Sequence, residues 1–276
     1  MSRTRGFVLR WAVFLTVVIV WQLITAAVDH PYFPPPSEIL AAAQQMWLSG
    51  TAATLFLSPD AIDSLLPSIG RLVGGWLLAV VVGVALGTAL GLSRRLLQYT
   101  GPVFAFFRSL PLPALVPVFV LLCRLGTQMV LAVILFGAVW AVLLNTVDGV
   151  RSVDRVQLDT ARAFRVPTAR RLLRIVLPAA LPKIFAGLRV SLSQSVTLMV
   201  VAELFAANGG LGGELRDAQD QFDFAQMWAV VVMIGVLGYT LNTVLLAVER
   251  RALDWHPAAG ERRPPARPGG RLVDHA

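Results

Sequence analysis

The sequence predicts an all-α polytopic membrane protein with six transmembrane helices, and three observations carry that prediction. Of the 276 residues, 56 % are hydrophobic and only 14 % are charged, whereas a soluble domain carries about a quarter charged residues. The apolar residues gather in runs about as long as the ~20-residue helix that crosses a bilayer. Basic residues collect in alternate connecting segments, as cytoplasmic loops do.

Residues 1–10 hold Arg3, Arg5 and Arg10 and are expected in the cytoplasm. The first span, 11–28 (WAVFLTVVIVWQLITAAV), has no charge. It resembles a signal peptide but is long for one, and no globular secreted domain follows, so an uncleaved anchor is expected. The second span, 72–92, repeats Gly83, Gly87 and Gly91 every four residues. Small residues at that spacing let helix backbones approach closely, within one subunit or between two. The third, 104–123, has Arg108 near its start and prolines at 111, 113 and 117. Such breaks are tolerated where other helices or a wet cavity satisfy the freed backbone groups, which makes this span a candidate to border a pathway.

The fourth span, 129–147, is uncharged and carries Asn145 at its inner end. The fifth, 184–206, contains Arg189 and Glu203, and the sixth, 225–248, is again uncharged. Polar and ionisable groups within spans are costly and mark pathways or buried partners. Asn145 and Glu203 are therefore the candidate translocation-pathway residues. The structural alternatives are a helix cap or bridge for Asn145, and for Glu203 an ion pair with Arg189 or another polar neighbour.

Loop by loop, the basic residues number three in 1–10, none in 29–68, three in 93–108, one in 124–128, eight in 148–183, one in 207–224 and six after 248. That alternation puts both termini in the cytoplasm, with Arg71 at an outer edge as the one exception. The formal charge of +8 is thereby explained without nucleic acid. A single cysteine, Cys123, excludes an internal disulfide, and its apolar setting suits a buried thiol. The three histidines lie outside the spans and no G-x-S-x-G elbow occurs, which leaves an intramembrane hydrolase without machinery. The only lysine, Lys183, follows Leu-Pro, so the chain has no phosphate-binding loop and cannot hydrolyse ATP by itself.

Residues 155–165 (RVQLDTARAFR) form an amphipathic helical piece with Val156, Ala161 and Phe164 as its apolar groups. Pro167 restricts Val166 and suits the first turn of a second helix, PTARRLLRIV. Leu177-Pro178 is expected to end that helix, and Leu181-Pro182 to start the fifth span. From the residues alone, this could be an interfacial helix lying on anionic lipid.

The same stretch resembles the loop that defines ABC-importer permeases: E-A-A, a glycine four residues on, and Leu-Pro about a dozen later. Asp159, Thr160 and Ala161 stand at the E-A-A positions, Arg165 at the glycine and Leu177-Pro178 at the Leu-Pro. FPPPSEIL (33–40), PLPALVPVF (111–119), NTVDGVRSVD (145–154) and VVAELFAANGGLG (200–212) look like the nitrate/sulfonate/taurine branch. The resemblance implies a type I ABC importer transmembrane domain over 11–255, with a coupling loop at 148–183; the tail at 256–276 is Pro/Gly/Arg-rich and is expected to be disordered on the cytoplasmic side. The resemblance also implies that Asp159, Thr160, Ala161, Arg162, Phe164, Arg165, Leu177 and Pro178 couple the chain to an ATPase.

The partners it implies are ABC ATPase subunits, an extracytoplasmic solute-binding protein, and a second copy of the chain or a related permease, in the lipid bilayer of a bacterial inner membrane. No cofactor is expected in this chain, because ATP and Mg belong to the ATPase. The implied substrate is a small anion such as an alkyl sulfonate, taurine or nitrate. Arginine at the glycine position is the main departure: the turn either keeps a negative φ or carries strain. The rival reading is a secondary transporter, a class marked by internal repeats; the broken third span has no matching repeat.

Overall fold

The computed structural model describes residues 3–28, 30–50, 57–206 and 209–254. The expected tail, 256–276, lies outside the described residues. Helix α1 (Arg3–Val28) is followed by a short α2 (Pro36–Trp47) and a long α3 (Pro59–Leu92). Ser58 caps α3 by accepting the Ala61 N–H at 3.0 Å, and Pro59 supplies a first residue that needs no donor. Thus α3 begins thirteen residues before the apolar run that predicts the second span.

The third span is not one helix. Residues 93–108, expected as a turn, belong largely to α4 (Arg94–Ser109), and α5 (Leu112–Cys123) leaves it at 95°. The cause is Pro111, which follows the extended Leu110 and caps the start of α5. Helix α6 (Thr127–Arg151) then crosses the molecule, and a loop helix, α7 (Arg155–Ala163), follows. Among the described residues, five helices are long and apolar enough to cross a membrane, and the bent pair makes a sixth if it counts as one span.

The Leu-Pro steps do not stop the chain. Helix α8 (Thr168–Arg171) passes through a π-helical turn (Leu172–Val176) into α9 (Leu177–Ala206), with Leu181-Pro182 well inside α9. Pro178 has no N–H to offer the preceding turn. The backbone accommodates it by widening: the Leu177 N–H reaches back to the Leu172 carbonyl, five residues away. Helices α10 (Leu211–Asp220) and α11 (Phe224–Ala252) complete the described chain.

The core is α3 on α6 on α9. The glycine ridge of α3 faces α6 of the same chain: a Cβ at Gly83, Gly87 or Gly91 would stand 2.7 Å from Val142, Leu143 or Val150 respectively. This decides for packing within the subunit. Gly187 does the same for α9, where a Cβ would meet Asn145 at 2.7 Å. Leu72, Met129, Ile134 and Met199 fill the resulting core. Helix α1 stands outside it, with Trp11, Phe14 and Leu23 exposed as lipid-facing groups would be. Two hydrogen bonds of 3.0 Å between Gln22 and Ser37, and an edge contact of Trp21 on Trp228, tie it to the rest.

Candidate functional site

The loop helix α7 starts where Asp154 accepts the Val156 N–H at 2.9 Å. It is short and strongly charged, so its stability depends on what it packs against. Ala161 faces inward and is buried, while Val156 is 70 % and Phe164 79 % exposed. Asp159 and Arg162 pair with each other at 2.8 Å on the open face. A groove of about 720 Å³ runs between α7 and the start of α9, lined by Thr160, Ala161, Phe164, Val166, Ile175 and Pro178. Four of the eight predicted coupling residues therefore meet in one groove. Asp159, Arg162 and Arg165 do not line it, and Leu177 packs on the core.

The end of α7 answers the question of the missing glycine. The Arg165 N–H donates to the Arg162 carbonyl and the Val166 N–H to the Ala161 carbonyl, both at 2.9 Å. That pair of bonds is the Schellman ending, which sets the residue after the cap in the left-handed region. Arg165 is there, at φ +52°. A side chain in that conformation costs roughly 1–2 kcal/mol that glycine avoids. Arg165→Gly is expected to stabilise the loop by about 1 kcal/mol and to leave transport at or above the parental rate. A ten-fold fall in uptake would show instead that the guanidinium makes a charge-assisted contact, worth about 1.5–3 kcal/mol.

At the opposite end of the core, Glu203 is fully buried. Its Oε1 lies 2.8 Å from Arg71 Nη1, Ser68 Oγ donates to the carboxylate at 2.9 Å, and the Gly212 N–H reaches Oε2 at 3.0 Å. Arg71 also donates to the Gly209 carbonyl at 3.2 Å, and the Leu211 N–H donates to Ser68 Oγ at 2.9 Å. Gly210, at φ +93°, leaves room for this network: a Cβ there would fall 2.7 Å from both Glu203 Oε1 and Ser68 Oγ. The partner of Glu203 is thus Arg71 and not Arg189, whose Nε lies 3.5 Å from Glu249. Sequence reasoning missed Arg71 and Ser68. The available signal was depth: Arg71 opens its span and Glu203 nearly closes its own, so both lie at the same end.

Asn145 lines a second cavity, of about 470 Å³, beside the α4–α5 break. Arg108 from α4 and Gln194 and Thr197 from α9 share it, against the rings of Phe136 and Trp140. The Asn145 amide donates to the Ala141 carbonyl at 2.8 Å, so it bridges its own helix while facing the cavity. Glu203 does not line this space. Among the described residues no group of three or more His, Cys, Asp or Glu could hold a metal ion.

Comparison with known proteins agrees with this architecture. The family described as "Binding-protein-dependent transport system inner membrane component" matches residues 79–253. A "Probable ABC transporter permease protein" of Brucella abortus strain 2308 is 28 % identical over 94 % of this chain and 99 % of its own. The bicarbonate transport system permease protein CmpB of Synechococcus elongatus is 28 % identical, covering 89 % of each chain. The taurine transport system permease protein TauC of Escherichia coli K12 is 29 % identical over 89 % of this chain and 87 % of its own. In fold, the chain is similar to the solved MetNI methionine ABC transporter in its inward-facing form. That match has a TM-score of 0.62 at 17 % identity, over 70 % of this chain and 96 % of the other.

Proposed function

From the premise that this chain belongs to the family of binding-protein-dependent transport system inner membrane components, we propose that it forms the pathway for a small anion and is driven by a separate ATPase. The observation that carries the ATPase part is α7: a charged loop helix that leaves Val156 and Phe164 exposed beside an apolar groove. A helix of that kind fits a partner's groove. The anion part is supported by the relatives, whose names specify taurine and bicarbonate.

In this reading ATP and Mg stay on the ATPase, which docks at loop 148–183. That loop is then cytoplasmic, as its eight basic residues suggest. A solute-binding protein delivers the anion from the opposite side. Two copies of the chain, or this chain with a related permease, enclose the pathway. ATP-driven closure of the ATPases moves α7, and α7 must contact them differently in the two states for anything to be coupled.

Affinity purification of the full chain from its native membrane tests the proposal. An ATPase with a phosphate-binding loop is expected to co-elute in equal number. Elution of the chain without one would favour the secondary transporter.

A further inference from the structure

We propose that the cavity beside the α4–α5 break is a binding station for a small organic anion, with the Arg108 guanidinium as the group that selects its charge. Arg108 and Arg189 lie within the expected spans, and Arg71 adjoins the start of one. Arg71 is neutralised by Glu203, and Arg189 stands against Glu249. Among the described residues, no carboxylate pairs with Arg108, and none lines its cavity. A guanidinium that borders a cavity with an apolar wall gains from an anion that answers its charge. Among the described residues no side chain supplies that anion, and Arg108 lines the open space.

The rest of the lining sets the chemistry of the guest. Asn145 spends one amide hydrogen on Ala141 and keeps a second donor for the cavity. Gln194 and Thr197 add an amide and a hydroxyl, so neutral donors surround the one cation. A guanidinium with such donors matches the planar or tripodal oxygens of a carboxylate or sulfonate. The wall of Phe136 and Trp140, whose rings meet edge-on at 5.7 Å, is apolar. The Trp140 Nε1 is shielded and has no hydrogen-bond partner among the described residues. A volume of about 470 Å³ exceeds what a bare inorganic ion needs and lies in the range of small-molecule pockets. The guest is therefore an organic anion with a short apolar tail set against the rings. Arg108 lies just before the 95° bend, so any change in that bend moves the charge relative to Asn145.

This inference deepens the permease reading, yet its test involves the chain alone, so the two can fail separately. The full chain in lipid nanodiscs is titrated with radiolabelled ethanesulfonate, with ethyl methyl sulfone as the neutral competitor. Saturable binding is expected, insensitive to the sulfone, weakened at least ten-fold by Arg108→Gln and less than three-fold by Arg108→Lys. Asn145→Asp keeps the arginine but gives it a carboxylate, and is expected to abolish binding. It decides the matter if Arg108→Gln proves unfolded by thermal melting. Absence of saturable binding in the parent overturns the proposal. So does equal competition by the sulfone, or binding undiminished in Asn145→Asp.

Discussion

Arg71→Ala is expected to leave so little folded permease in the membrane that purification fails. The substitution strips the guanidinium from a carboxylate that is fully buried and 2.8 Å away. Ser68 and the Gly212 N–H remain on Glu203, but neither carries charge. Breaking a buried pair from one side costs roughly 3–5 kcal/mol, because the surviving charge stays desolvated. A whole domain is stable by about 5–15 kcal/mol, so the loss is a large share of the total. Replacing both partners with apolar groups is often nearly neutral. Arg71→Leu combined with Glu203→Leu should therefore recover most of the lost thermal midpoint. The double variant still leaves the Gly212 N–H without its acceptor, so recovery should be incomplete. Melting followed by fluorescence-detected gel filtration reads all three proteins. An Arg71→Ala chain that melts with the parent would remove the network from any structural role.

How much of this was legible beforehand depends on whether a feature is local. Four of the six spans were readable because each is an uncharged apolar run, and the coupling loop because its residues follow one another. The prolines were not. Pro111 breaks its span while Pro178 and Pro182 do not, and the three look alike in sequence. At Pro178 the difference lies in the backbone before it: a widened turn at Leu172–Val176, in which the Leu177 N–H reaches the Leu172 carbonyl, keeps that helix continuous. Arg71 and Glu203 are 132 positions apart, and the cavity of Arg108, Asn145 and Gln194 draws on four helices, α4, α5, α6 and α9. Such partnerships exist only once the glycine ridges of α3 and α9 have set the helices against α6. Arg165 lies between these cases. Its place in the motif was readable, but its left-handed backbone required the two hydrogen bonds that close α7.

Phe164→Ala should separate assembly from folding more sharply than any other single change. The ring is 79 % exposed in the isolated chain, so little of the chain's own stability rests on it. It stands at the mouth of the α7 groove with Val166 and Pro178, where a docking partner would cover it. Aromatic groups that become fully desolvated at the centre of an interface typically lose at least about 2 kcal/mol on truncation to alanine. That corresponds to a roughly 30-fold weaker ATPase complex, since about 1.4 kcal/mol is a factor of ten. The variant is thus expected to insert and melt like the parent while releasing its ATPase during purification and losing transport. Phe164→Leu keeps an apolar knob of similar reach and should retain most of the association. The competing account is an amphipathic helix resting on anionic lipid. Under it Phe164→Ala would loosen α7 from the membrane surface but leave the ATPase bound. Parental ATPase stoichiometry and parental uptake in Phe164→Ala would therefore return α7 to the lipid surface.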